Sequence, residues 1–136
     1  MGSLAQVRLL LDTHVWLWIH LEPNEIKPAI QRELQKEENE LWLSPVSLWE
    51  TLMLYRKRRL ALQPHASAWI DSALTELPVH EATLNFSVAL LSENLTLKMK
   101  DPADRFLAAT ASVFDLVFVT ADRHFRTTPQ YTVLRA

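Results

Sequence analysis

The sequence predicts an α/β fold of three layers, α/β/α, around a central, mostly parallel five-stranded sheet. Two observations point there first: short apolar runs of strand length alternate along the chain with segments of helical spacing, and strands separated by helices imply parallel crossovers. A third is composition. With 136 residues, 49% hydrophobic and 22% charged, the chain has the size and balance of one ordinary globular unit with one core.

Residues 1–6 read as a short unstructured or expression-derived lead, and 7–136 as a single domain. Residues 7–11 form a nearly continuous apolar run, which fits a strand covered on both faces better than a half-exposed one. Helical spacing follows over 13–20 and 28–36, then a strand at 41–43. Two further helices are expected at 46–58 and 64–74, a strand at 77–79, and helices at 81–94 and 102–114. Strands at 116–119 and 131–134 complete the set. The expected order, β-α-α-β-α-α-β-α-α-β-α-β, makes an open sheet whose ligands sit beyond the carboxyl ends of its strands.

Several chemistries are excluded early. Without cysteine there is no disulfide and no thiolate metal site, so any metal uses oxygen or imidazole ligands; a reducing, cytoplasmic setting suits the chain. The one glycine, Gly2, lies outside the folded region, which removes a glycine-rich phosphate loop or dinucleotide fingerprint. No apolar run approaches the ~18 residues of a membrane span. A formal net charge of -2 gives no global pull toward nucleic acid, so such binding has to come from local patches or bound metal.

The chemistry-bearing residues are acids at strand ends and helix starts. Asp12 directly ends Leu9-Leu10-Leu11 and is followed by Thr13; it either caps the next helix or belongs to a site that compensates a buried carboxylate. Glu50 lies on a helical face with Val46, Trp49 and Met53 and has no basic residue three or four positions away, so it meets a distant cation or marks a site. In Asp101-Pro102-Ala103-Asp104, Asp101 reads as the cap and Pro102 as the first turn. Asp104 shares a stripe with Leu107, Ala108 and Ala111 and so points inward, with Asp101 as a helper. Asp122 follows Val117-Phe118-Val119-Thr120-Ala121 just as Asp12 follows its own strand. Capping explains each acid singly but must be invoked afresh at every one.

With these positions fixed, the chain resembles the PIN domain, especially the VapC-type ribonuclease toxins of toxin-antitoxin pairs. The carriers are Leu10-Leu11-Asp12-Thr13-His14 with Trp16 and Trp18, Ser44-Pro45-Val46-Ser47-Leu48-Trp49-Glu50, Asp101-Pro102-Ala103-Asp104-Arg105 with Leu107-Ala108-Ala109-Thr110-Ala111, and Val119-Thr120-Ala121-Asp122. The resemblance puts the family's acids on Asp12, Glu50, Asp104 rather than Asp101, and Asp122, as catalytic residues and metal ligands, with Thr13 and Thr120 at flanking hydroxyl positions; Asp101 stays as a supporting acid from the reading of its own segment. Two departures stand out: Leu97-Lys98-Met99-Lys100 where many relatives carry His and Arg, and Asp115 where a turn glycine is common.

Carboxylates gathered in one pocket repel one another unless a cation or protons intervene. Hard oxygen ligation suits Mg2+ or Mn2+, which could activate water and polarise a phosphodiester. The resemblance implies endonucleolytic RNA hydrolysis leaving 5'-phosphate and 3'-hydroxyl ends. Arg56, Lys57 and Arg58 with Arg59, together with Lys98, Lys100, Arg105, Arg123 and Arg126, are candidates for gripping RNA or are simply a solvated face. The histidines lack paired metal-ligand spacing and read as polar surface or edge residues. The resemblance further implies a homodimer and a cognate antitoxin, for which an exposed Trp16 and Trp18 pair would serve. The alternatives are a catalytically silent PIN-like interaction module and, with a poor match of acids, a signalling receiver domain.

Overall fold

A computed structural model of the chain describes residues 6–95 and 99–136. In order, the elements are β1 (Arg8–Leu11), α1 (Thr13–Leu21), a 3-10 turn (Pro23–Glu25), α2 (Pro28–Gln35), β2 (Glu40–Leu43), α3 (Pro45–Arg56) and α4 (Ala66–Glu76). They continue with β3 (His80–Glu81), α5 (Phe86–Asn94), α6 (Pro102–Val113), β4 (Val117–Thr120) and β5 (Thr132–Arg135). The five strands pair in the order β3-β2-β1-β4-β5, and every pair is parallel.

Side chains alternate across this sheet as the strand period requires. Leu10 and Phe118, in register with each other, enter one core with Val88, Leu107, Ala108 and Ala111 from α5 and α6. Leu9, Leu11 and Val119 enter the other, with Val15, Trp16, Ile30 and Ile70 from α1, α2 and α4. Burial on both faces explains why β1 reads as an unbroken apolar run. The alanines of α6 are fully buried, which lets that helix lie close on the sheet.

The elements differ from the sequence expectation mainly at their ends. The third strand is His80–Glu81, not 77–79, pairing His80 with Trp42 and Glu81 with Leu43. Pro78 has no N–H to give to a ladder, so pairing starts beyond it. The helix expected at 81–94 begins only at Phe86, where the Asn85 side chain accepts from Val88 N at 2.9 Å. α3 ends at Arg56, two residues early, because Arg58 takes a φ of 58°. Asp115, past α6, has a φ of 54°, the left-handed geometry that makes glycine common there and that Asp tolerates. No helix separates β4 from β5; the connection 121–131 is turns held by side-chain bonds.

The arrangement fixes where a ligand can sit. The chain leaves β1 toward β2 and β3, then returns to the other side of β1 to lay down β4 and β5. The carboxyl ends of β1 and β4 therefore flank the point where strand order reverses, the usual crevice of an open parallel sheet. Among the described residues no helix is long and apolar enough to cross a membrane.

Candidate active site

Four segments deliver carboxylates to that crevice. Asp12 leaves β1 as the N-cap of α1; its Oδ1 accepts from Thr13 N at 2.8 Å, so capping and site membership coexist. Its Oδ2 accepts from Thr120 Oγ1 at 2.6 Å, across from the last residue of β4. Thr120 Oγ1 in turn accepts from Asp122 N at 3.0 Å, so one buried hydroxyl ties the ends of β1 and β4 together.

Glu50 comes from the middle of α3. Its Oε1 accepts from Thr13 Oγ1 at 2.5 Å, and Ser47 Oγ lies 2.9 Å from the same hydroxyl. Asp101 caps α6, accepting from Ala103 N at 2.9 Å, and Asp104 stands one turn inside. Asp104 is half-buried above Leu107 and Ala108, as its stripe predicts. Asp122 Oδ1 accepts from His124 N and contacts His124 Nδ1, both at 2.9 Å.

The electrostatics couple these acids to one another. Burial pushes Asp104 up to about 7, and the charges of Asp101, Asp12, Asp122 and Glu50 push in the same direction. Burial also raises Asp12, with a smaller push from Asp122, against the pull of Thr120, Thr13 N and His14. Glu50 is raised by burial, then by Asp12 and Asp101, although Thr13 and His14 oppose the shift. Asp122 alone goes down: burial acts to raise it, but the bonds from His124 and the charges of His124 and Arg135 outweigh burial.

This donor set fits a hard divalent cation in chemistry: all oxygen, several charges, and no Lys or Arg side chain in an ion pair with Asp12, Glu50 or Asp104 among the described residues. As the side chains stand, no group of three or more His, Asp or Glu among the described residues forms a finished metal site. Asp12 instead accepts from the Thr13 amide and the Thr120 hydroxyl, and Glu50 Oε1 from the Thr13 hydroxyl, each bond using one direction of its oxygen and leaving others open. A separate cavity of about 680 Å³, lined by Ile19, Ile26, Leu34 and Leu41, holds none of these acids.

A family model of the PIN domain matches residues 9–130, the span that contains every acid just described. The chain belongs to the PIN-domain family. A similar sequence is Ribonuclease VapC22 of Mycobacterium tuberculosis (strain ATCC 25618 / H37Rv), 29% identical over 121 residues, 87% of this chain and 89% of the relative. Among solved structures, VapBC2 from Rickettsia felis bound to a promoter DNA fragment aligns with a TM-score of 0.69 at 14% identity, covering 95% of this chain and 98% of that one. A toxin-antitoxin complex from Klebsiella pneumoniae gives 0.62 at 18% identity, over 93% and 95% of the two chains. At such identities these two describe the fold, and this PIN domain shares it.

The other expected residues fall unevenly around the PIN acids. Arg56, Lys57 and Arg58 are exposed at the end of α3, Arg56 about 9 Å along the axis from Glu50. Lys100 and Arg123 are exposed beside Asp101 and Asp122. Arg105 is turned inward: its Nε donates to Ser92 O at 2.7 Å, Nη1 to Met99 O at 3.0 Å and Nη2 to Leu95 O at 3.2 Å. Leu97 and Lys98 lie outside the described residues. The tryptophan pair of α1 is not a surface feature, because Trp16 is fully buried against Trp69 and His20 and Trp18 is half-buried. Trp49, expected to share the inward face of Glu50, is 56% exposed.

Several neighbours of the site escaped the sequence reading, among them His124 and Arg135 beside Asp122. His14 is exposed yet close enough for its charge to favour the ionised forms of Asp12 and Glu50. Ser47 is fully buried beneath Thr13. Its signal was available: it stands three residues before Glu50, on the same helical face.

Proposed function

We propose that this PIN domain is a Mg2+- or Mn2+-dependent endoribonuclease, the toxin of a toxin-antitoxin pair. The observation that carries the reading is the gathering of Asp12, Glu50, Asp101, Asp104 and Asp122 beyond the carboxyl ends of β1 and β4, where burial and the other four carboxylates raise Asp104 to about 7. A divalent cation relieves that repulsion more completely than scattered protonation does. Asp12, Glu50, Asp104 and Asp122 would hold it, with Asp101 adding charge from the cap of α6. When bound, the metal supplies Lewis acidity and a lowered water pKa for attack on a phosphodiester.

The chain's own groups prepare this. Thr120 and the Thr13 amide fix both oxygens of Asp12. Thr13 aims Glu50, and His124 keeps Asp122 ionised. Arg56, Lys57, Arg58, Lys100 and Arg123 are the candidates for holding the RNA backbone, since phosphate contacts position a nucleic acid without reading its sequence. The likeness to a protein named a ribonuclease supports RNA as substrate, and the likeness to toxin-antitoxin complexes supports a small antitoxin as partner. We place the protein in the cytoplasm as a homodimer, with exposed apolar residues such as Trp49, Phe86 and Leu90 available to partners.

The test is cleavage of structured RNAs by the purified chain with Mg2+ or Mn2+, against a chelator. Asp12→Asn, Glu50→Gln and Asp104→Asn are each expected to lower turnover at least ~100-fold, the upper range for loss of a partner that only orients a ligand. Circular dichroism should stay native. Cleavage retained in all three variants would end the metal-nuclease reading of these acids, whereas no cleavage by the parent chain, with partner binding indifferent to the substitutions, would put the interaction module in its place.

A further inference from the structure

Ser47 is buried at the first turn of α3, whose geometry is fixed around it. Ser44 Oγ caps Val46 N at 3.0 Å, Ser47 N donates to Ser44 O at 2.9 Å, and Thr51 Oγ1 donates to Ser47 O at 2.8 Å. The buried hydroxyls of Thr51, Ser92 and Thr110 donate to a carbonyl of their own helix, Thr51 to Ser47 O, Ser92 to Ala89 O and Thr110 to Phe106 O, the last two at 2.7 Å. Ser47 does not. Its Oγ reaches across to α1 and meets Thr13 Oγ1 at 2.9 Å, and that oxygen is 2.5 Å from Glu50 Oε1.

Counting protons sets the direction of this chain. Each hydroxyl has one proton, and an ionised carboxylate can only accept. Thr13 Oγ1 lies within donating distance of both Ser47 Oγ and Glu50 Oε1 but has one proton; when that proton goes to Glu50, the contact between the two hydroxyls is made by Ser47 donating to Thr13. Both protons then point toward the carboxylate, and a hydroxyl that accepts a hydrogen bond is a better donor in turn. If Ser47 were absent, Thr13 would keep its bond to Glu50 but lose the donor behind it.

We propose that Ser47 is a positioning residue for the acid cluster: through its contact with Thr13 Oγ1 it orients the Thr13 hydroxyl, which fixes the Glu50 carboxyl in its place among the acids. Ser47 acts through Thr13 and Glu50 and touches neither cation nor substrate. The inference rests on the metal-nuclease reading and adds to it an outer hydroxyl that holds a ligand in place. Such partners typically govern metal affinity by ~10- to 100-fold.

The experiment measures Mn2+ binding by calorimetry and RNA turnover on the full chain. Ser47→Ala is expected to bind Mn2+ roughly tenfold more weakly and to lose turnover to a similar degree, with KM for RNA unchanged. Ser47→Thr, which restores the hydroxyl, should recover most of the affinity. Thr110→Val, which deletes a buried hydroxyl bonded only within its helix, should leave Mn2+ affinity as in the parent. In a Glu50→Gln background, Ser47→Ala should add little further loss, since the two act in series. Wild-type Mn2+ affinity in Ser47→Ala, with only a lowered melting temperature, would reduce Ser47 to a packing role. A loss that simply adds to that of Glu50→Gln would overturn the coupling. Failure of the parent chain itself to bind Mn2+ would sink the metal reading and this inference together, whereas the preceding two outcomes sink only the role of Ser47.

Discussion

Asp104 concentrates the electrostatic tension of the molecule. Its carboxyl is raised to about 7, so between pH ~4, where it ionises in an unfolded chain, and pH 7 the folded state binds a proton that the unfolded state has released. Stability then falls as pH rises through that window. Asp12 and Glu50, raised in the same direction, add to the slope. Asp122 is lowered, so its contribution is present above its unfolded pKa and is lost on acidification below it. The expected result is a melting temperature of metal-free protein that declines from pH 5 to pH 8, measured by scanning calorimetry. Saturating Mn2+ should raise it more at pH 8 than at pH 6, because metal competes with protons for the same oxygens. Asp104→Asn should raise the melting temperature of metal-free protein at pH 8 and shrink the gain from Mn2+. A melting temperature indifferent to Mn2+ at both pH values would contradict the shared-cation account. Most of these acids were visible as single residues, because an acid ending an apolar run is conspicuous. Their hydroxyl partners were less so, since Thr and Ser are unremarkable until a fold sets them beside a carboxylate.

Helices and strands carry the acids to one place and hold them there through their ends. The fold was readable from sequence at the level of existence and type: six helices and four strands overlap the segments that helical spacing and apolar runs indicate, while the third strand lies just past its expected span and the helix expected between the last two strands is absent. Boundaries moved where local chemistry overrode periodicity, as at Pro78, at the Asn85 cap and at the left-handed Arg58. The junction of α5 and α6 depends on Arg105, whose guanidinium draws on the carbonyls of Ser92, Leu95 and Met99. Arg105→Ala should therefore cost about 1.5–3 kcal/mol, the usual value of hydrogen bonds to a charged group. Denaturant unfolding would measure that loss, and RNA affinity extrapolated to full folding should hold. A variant of native stability with weakened RNA binding would return Arg105 to the substrate surface.

Across the whole molecule, a net charge of -2 coexists with a basic end of α3, so affinity for RNA has to be local. Arg56→Ala combined with Lys57→Ala should weaken binding of single-stranded RNA and lower the slope of log K against log salt by about 0.7 for each phosphate contact removed. Filter binding or fluorescence anisotropy across salt concentrations measures it. An unchanged slope would mean that this run is a solvated face and that the backbone lies elsewhere.

What the sequence settled by itself was local: strand and helix alternation, the absence of thiol and glycine-loop chemistry, and acids placed at strand ends and helix starts. Those features depend on residues a few positions apart, which periodicity and capping preferences report directly. Tertiary structure decided strand order, the inward turn of Arg105, the burial of Trp16 and the exposure of Trp49. It also decided the bond between Thr120 and Asp12, 108 residues apart, and the contact of Ser47 with Thr13 across two helices. Contacts between distant segments exist only once β1 is enclosed between β2 and β4, and no short window of sequence contains that enclosure.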